Sequence, residues 1–243
     1  MSFNLENSNV IVTGAARGIG LEISHCFHRL GATVCGWDLD CTPIQNDPAF
    51  LARVDVDITD EHQVESAFQH SVDALGSINT LIANAGVNGP TKPAWEYTLP
   101  EWNTVISTDL TGVFLCTRAL VQHMQQQEFG RIVVIASVAG KEGNPGACAY
   151  GAAKAGVIGY VKGLARELLP GNITVNAVAP VITETTLFNE MTEEYIAGKK
   201  SLIPMGRFCT PKEIADTTAW IASPLCTFTT GQVFDVTGGR CTY

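Results

Sequence analysis

Basic side chains are scarce in this chain. Its 243 residues carry 15 Lys and Arg against 24 Asp and Glu, a formal charge of −9 at pH 7. Nucleic acid and anionic membrane both call for a basic face, so neither is expected as a partner. No block of like charge exists, and Lys199-Lys200 is too short to count as one and reads as solvated surface. No two of the eight cysteines form a C-x-x-C pair, and no His/Cys cluster has zinc spacing, so no metal is expected. The N-terminus has neither the basic start nor the apolar core of a signal peptide, and no apolar run approaches transmembrane length. A reduced, cytoplasmic protein is the expectation. Linkers, repeats and low-complexity stretches are also missing, which predicts one domain over residues 1–243.

What is present is a hydrophobic content of 46%, enough for a well-packed core. The chain is organised around the stretch from Ile132 to Lys154. Ile132-Val133-Val134-Ile135 reads as a fully buried strand, and Ser137 stands at its end. A glycine-rich loop follows, and a small-residue helix begins near Cys148. In that helix Tyr150 and Lys154 lie one turn apart on the same face. A phenol titrates near ~10, too high for a base at neutral pH, and a neighbouring ammonium favours the phenolate. With Ser137 to bond the same substrate oxygen, the three side chains suit general acid–base chemistry at a strand's carboxyl end. Cys148, two residues before Tyr150, reads as a packed thiol rather than a nucleophile.

Near the N-terminus, Val10 to Thr13 is an apolar strand followed at once by Gly14-Ala-Ala-Arg17-Gly18-Ile19-Gly20 and a helix from Leu21 to Leu30. Strand, glycine turn and helix are what a dinucleotide-binding turn requires, although G-x-x-x-G-x-G departs from G-x-G-x-x-G. The next strand, Thr33 to Trp37, ends at Asp38, 24 positions after Gly14, where a carboxylate binds the adenosine ribose. A 2′-phosphate would meet repulsion there, which favours NAD over NADP. Arg17 is the competing signal, being able to pair with such a phosphate, but Asp38 outweighs it and Arg17 reads as solvated.

Further strands are predicted at Leu51–Val56, with Asp57-Ile58 at the expected adenine position, and at Asn79–Ala83, with the Asn84-Ala85-Gly86 turn. Thr174–Val178 leads to Pro180, and Gln232–Val236 comes last. Helices are predicted at Glu61–Leu75, capped by Thr59 or Asp60, at Pro100–Gln127, capped by Thr98, and at Pro211–Ala222. Residues 183–207 read as a helical lid over the substrate. The alternation gives an α/β fold, a single-domain Rossmann-type doubly wound parallel sheet with helices on both faces.

Together, Thr13-Gly-Ala-Ala-Arg-Gly-Ile-Gly20, Asn84-Ala-Gly86, Ser137, Tyr150-x-x-x-Lys154 and Asn176-Ala-Val-Ala-Pro180 resemble the short-chain dehydrogenases/reductases over nearly the whole chain. The resemblance implies that Tyr150 is the acid/base, that Lys154 also binds the nicotinamide ribose, and that Ser137 orients substrate. It implies a cofactor site of Gly14, Arg17, Gly18, Ile19, Asp38, Asp57, Ile58, Asn84, Ala85, Gly86, Tyr150, Lys154, Pro180, Thr183 and Thr185. Family members are commonly homotetramers, which is carried over as an expectation. Two residues depart from the pattern: Val181 follows Pro180 in place of glycine, and Asp109 replaces an asparagine of the catalytic relay. Asp109 is therefore included with the catalytic candidates.

Gly140-Lys-Glu-Gly-Asn-Pro145 and the ending Gly238-Gly-Arg-Cys-Thr-Tyr243 look like the 2-keto-3-deoxy-sugar-acid (fuconate/rhamnonate type) dehydrogenases. A small polar substrate, held by Lys141, Glu142, Asn144 and Arg240 beside Ser137 and Tyr150, is the matching expectation; each of the four reads equally well as a solvated loop residue. The competing readings are a 3-oxoacyl-carrier-protein reductase and a non-catalytic dinucleotide sensor or scaffold.

Overall fold

In the computed structural model of the protein, residues 3–183 and 193–243 are described. Asn9–Thr13 (β1), Thr33–Asp38 (β2), Phe50–Asp55 (β3) and Thr80–Ala83 (β4) are followed by Gly130–Ile135 (β5), Ile173–Pro180 (β6) and Val233–Val236 (β7). All pair in parallel, in the order β3-β2-β1-β4-β5-β6-β7. β5 and β6 are buried at every residue, as unbroken apolar strands must be when helices cover both faces. Successive side chains still point to opposite faces. Val10, Val12 and Val133 enter one core, and Ile11, Ile132 and Val134 the other.

The first core is closed by Gly18–Arg29 (α1) and a later helix, Pro211–Ala222, through Ile23, Phe27, Ile214 and Ala219. The second is closed by Glu61–Leu75 (α2), through Val64 and Ala67, and by two helices further along. The helix predicted over Pro100–Gln127 comes as three pieces. Leu99–Ile106 (α3) gives way to a π-helical turn at Ser107–Thr111, and Gly112–Gln126 (α4) continues the path. A π turn leaves no mark on apolar spacing, and such turns gather at functional sites. Leu99–Gln126 as a whole is long and apolar enough, by length and composition, to cross a membrane, contrary to the sequence expectation. Here α4 buries Val113, Leu115, Cys116, Leu120 and Met124 in the second core.

The predicted glycine loop contains a short helix, Ala139–Glu142 (α5), and the Tyr150 helix is Cys148–Glu167 (α6). Within the predicted lid, Glu193–Ser201 (α7) is helical, while residues 184–192, including Thr185, lie outside the described residues. Pro211–Ala222 (α8) completes the series. Helix starts follow capping chemistry. Asp60 accepts from the His62 and Gln63 amides, deciding between the two predicted caps. Thr98 with Glu101, and Thr210 with Glu213, form reciprocal capping boxes.

Replacing Thr210 by Ala removes the side-chain acceptor of the Glu213 amide, which keeps the Thr210 carbonyl, and the hydroxyl donor to the Glu213 carboxylate. The expected loss is about 1 kcal/mol of stability, read as a lower urea midpoint with unchanged slope. An unmoved midpoint would show that the Thr210 hydroxyl adds nothing to the start of α8.

Candidate active site

The centre of the sheet is where the chain order reverses, between β1 and β4. Ligands of open α/β sheets bind at the strand carboxyl ends beside such a point. Here the two strand ends are laced together. The buried Thr13 hydroxyl accepts from both the Asn84 and Ala85 amides, each at 3.0 Å. The Asn84 amide side chain donates back to the Thr13 and Gly14 carbonyls, at 2.9 and 3.2 Å. Gly14, at φ +65°, has no room for a side chain, since a Cβ would lie 2.9 Å from the Ala85 Cα. At Gly20 it would lie 2.0 Å from the Gly14 carbonyl oxygen. Asn84 thus braces the turn with its side chain. In the sequence Thr13 stands only as part of a motif, and its signal is a hydroxyl at a strand end directly before glycine.

The same turn presents an anion site. α1 starts at Gly18 after Arg17, whose side chain makes no capping bond, whereas α2, α3 and α8 are all capped by side chains. Its first-turn amides are therefore available to a phosphate. Gly18, at φ +58°, would point a Cβ into open space, so its backbone can be approached closely. Asp38 accepts from the Ala16 amide through Oδ2 (2.9 Å) and from the Leu39 amide through Oδ1 (2.8 Å). Each oxygen keeps acceptor capacity for a ribose hydroxyl. Arg17 is exposed, and Ile19 packs partly on the first core. Asp57 caps its own turn by accepting from the Thr59 amide and hydroxyl, with Ile58 buried beside it. Charge, open glycine backbone and uncapped amides fit a dinucleotide.

On the other side of the crevice, α5 and α6 bring the candidate acid–base residues to the end of β5. Gly140 packs directly on the α6 backbone, where a Cβ would lie 2.5 Å from the Lys154 carbonyl carbon. Val138 donates to the Pro180 carbonyl at 3.0 Å, tying the loop to β6. The Ser137 Oγ accepts from the Ala139 amide at 3.1 Å. Lys154 is buried, donates to the Ile135 carbonyl at 3.0 Å, and holds its Nζ 5.5 Å from the centre of the Tyr150 ring. Asp109, wholly buried in the π turn, lies behind it with Oδ2 at 3.3 Å from Nζ. Of the catalytic candidates, Asp109 contacts the Lys154 ammonium and the Val87 amide. The Ile135 carbonyl and the Val87 amide, which bonds Asp109 Oδ1 at 2.7 Å, are partners that sequence spacing did not reveal.

Several expectations change. Lys141 bonds both Asp235 oxygens, at 2.9 and 2.7 Å, and the Tyr243 carbonyl. Arg240 donates to Glu142 at 2.9 Å. Burial pushes the Glu142 carboxyl up, but bonds from Cys241 and Arg240 hold it below the usual range. Neither Lys141 nor Arg240 is thus a free anchor for a substrate carboxylate, because carboxylates of the same chain already pair with them. Asn144 keeps its side chain half-buried nearby. Cys148, expected to be packed, is the exposed thiol, and the other seven cysteines are buried. Val181 stands where glycine is usual, without a positive φ; it is buried and bonds the Val236 carbonyl at 3.1 Å. Thr183 is buried, its hydroxyl on the Val181 carbonyl. A cavity of about 500 Å³ beside α8 and β7 is lined by Arg207, Glu213 and Thr237 among others, but not by Ser137, Tyr150 or Lys154.

Thr13→Val keeps the shape of the side chain but leaves two amides without their acceptor. The expected outcome is a loss of about 1–3 kcal/mol in unfolding free energy together with weaker dinucleotide binding. Calorimetry of both properties checks it, and unchanged values would mean that the lacing contributes nothing.

The comparisons with known proteins agree with this geometry. The family described as Enoyl-(Acyl carrier protein) reductase matches residues 14–240. The 2-dehydro-3-deoxy-L-rhamnonate dehydrogenase (NAD(+)) of Sphingomonas sp. (strain SKA58) is 39% identical over 236 residues, covering 96% of this chain and 95% of its own. The 3-oxoacyl-[acyl-carrier-protein] reductase of Vibrio harveyi is 35% identical over 240 residues, covering 97% and 98%. The crystal structure of the 3-ketoacyl-(acyl-carrier-protein) reductase from Brucella melitensis, complexed with NADH, superposes with a TM-score of 0.92 at 30% identity, covering 98% of this chain and 99% of that one. The chain belongs to the short-chain dehydrogenase/reductase family and is an oxidoreductase of CH–OH and C=O groups.

Proposed function

We propose that the protein is an NAD-dependent secondary-alcohol dehydrogenase acting on a sugar acid or related sugar, of the 2-keto-3-deoxy-sugar-acid type. The observation that carries the cofactor choice is Asp38, whose carboxylate is fixed beside the glycine turn by the Ala16 amide. A 2′-phosphate brought there would meet a like charge. The substrate class is supported by the 39% identity to the Sphingomonas sugar-acid enzyme.

A bound nicotinamide dinucleotide supplies the hydride acceptor for alcohol oxidation. Tyr150, as phenolate, takes the proton of the substrate hydroxyl, and in the reverse direction the phenol returns it to the carbonyl oxygen. Ser137 orients that oxygen. Its Oγ already accepts from the Ala139 amide, so its own hydrogen is free to donate to the substrate. Lys154 has three donors. Ile135 takes one, Asp109 faces another, and the third serves the crevice, where the ammonium favours the phenolate and can hold the nicotinamide ribose.

The reading includes a small polar substrate and a cytoplasmic homotetramer, for which the exposed side chains of Trp220, Leu225 and Phe228 offer apolar contact surface. A second reading, 3-oxoacyl-carrier-protein reductase, is favoured by the 35% identity to the Vibrio enzyme. Steady-state assays with sugar acids and NAD, set against 3-oxoacyl thioesters and NADPH, separate the two. Dinucleotide binding without turnover in either assay would support a non-catalytic sensor.

Tyr150→Phe is expected to lower kcat by ~10²–10⁴-fold with NAD affinity nearly unchanged, measured by steady-state kinetics and by cofactor titration. Activity close to wild type would remove Tyr150 from the acid–base role. Asp38→Ala is expected to shift the NAD/NADP ratio of kcat/KM towards NADP, because a repulsive charge is lost. A constant ratio would place cofactor selection elsewhere.

A further inference from the structure

Residues 237–243 end the chain but do not hang free. Their first turn is seated on the segment after α7. The Met205 amide donates to the Gly238 carbonyl at 3.0 Å, and a Cβ at Gly238 would lie 2.7 Å from the Ile203 Cγ2. The Thr237 hydroxyl accepts from the Cys241 amide at 3.2 Å, and the Thr237 carbonyl from the Arg240 amide at 3.2 Å. The tail thus leaves β7 in a fixed direction, which leads to α5. There the Arg240 Nε donates to one Glu142 oxygen at 2.9 Å and the Cys241 thiol to the other at 3.1 Å. The Tyr243 hydroxyl donates to the Lys141 carbonyl at 3.0 Å, and the Lys141 Nζ bonds the Tyr243 carbonyl as well as Asp235.

α5 needs such support. It is four residues long, and a single helical turn does not sustain itself in water. The Lys141 carbonyl belongs to its last turn, where intrahelical donors run out, and the Tyr243 hydroxyl fills that place. An isolated surface ion pair contributes little, but here two pairs on adjacent residues share one network, and their side chains are only 10% to 26% exposed. At its other end α5 is bonded to Ser137. The Ser137 carbonyl accepts from the Gly140 amide at 3.0 Å, and its Oγ accepts from the Ala139 amide at 3.1 Å. Where α5 sits therefore sets where the serine hydroxyl points.

We infer that residues 240–243 are a positioning strap for Ser137: by holding Lys141 and Glu142 they fix α5, and α5 fixes the aim of the Ser137 hydroxyl. Arg240, Cys241 and Tyr243 act through Glu142 and Lys141 and touch no reacting atom. They are positioning residues, placed at the far end of the chain from the turn they serve. The role of Ser137 in orienting a substrate oxygen rests on the dehydrogenase reading, whereas its attachment to α5 can be measured without substrate.

Two full-length variants cut the strap at different points. Glu142→Ala removes the acceptor of Arg240 and Cys241, and Tyr243→Ala removes the ring and hydroxyl from Lys141. Neither side chain belongs to an apolar core, so both proteins are expected to fold. Native-state hydrogen exchange reads the attachment: the Ala139 and Gly140 amides are expected to exchange at least about tenfold faster in each, with Val133 and Val134 of β5 unchanged. Steady-state kinetics read the consequence. A loss of about 10- to 100-fold in kcat/KM is expected, with NAD affinity unchanged. In a Ser137→Ala background the same replacements are expected to cost less than about twofold, since no hydroxyl is left to aim. Unchanged exchange at Ala139 and Gly140 in whichever variant folds would overturn the inference. So would faster exchange with unaltered kcat/KM, or an equal loss in the Ser137→Ala background, which is what a general loosening of the fold would give. Faster exchange at those two amides in a protein that turns over no alcohol would uphold the strap and sink the dehydrogenase reading alone.

Discussion

The lacing of β1 to β4 through Thr13 and Asn84 is the constraint on which the rest of the site depends. It joins two strand ends 71 positions apart in the chain with side-chain-to-backbone bonds in a buried place. Such bonds are stronger away from water, and leaving their donors unmet is expensive. Because the glycine turn is pinned from below by Asn84 and from the side by Asp38, the amides that begin α1 stand in fixed positions without a capping side chain. A preformed anion site is the result. The glycines at 14 and 20 are there for close packing, and Gly18 is there for access.

A second rigid unit faces the first across the crevice. α5 lies so close to α6 that only glycine fits at position 140, and this contact brings the end of β5 against the turn carrying Tyr150 and Lys154. Lys154 is held by strand, helix and π turn at once. A buried lysine usually loses its charge unless it is paired. Here the pairing carboxylate is supplied by Asp109. The turn that carries Tyr150 and Lys154 is thus backed by a buried counter-charge.

The flank formed by α5 and the C-terminal residues is where the structure departs most from what the sequence suggested. Lys141, Glu142, Arg240 and Asp235 form two ion pairs within the chain, and Tyr243 covers Lys141 with its ring 5.0 Å from Nζ. These charges organise the segment following Ser137.

By itself, the sequence determined the order and type of nearly all the principal elements, because each is written locally. Unbroken apolar runs make two-face-buried strands, a glycine turn precedes α1, and Thr98 caps its helix. The spacing of Tyr150 and Lys154 was legible for the same reason, being fixed by the helix pitch. What only tertiary structure decided are the meetings between segments far apart in the chain. Asp109 came to Lys154 across 45 positions, and a π turn invisible to apolar periodicity seats it there. Lys141 and Arg240 looked free because their partners, Asp235 and Glu142, lie 94 and 98 positions away. Periodicity records which face of an element is buried. Which charges then share that burial is set by how the elements pack, and with it which ones remain available to a ligand.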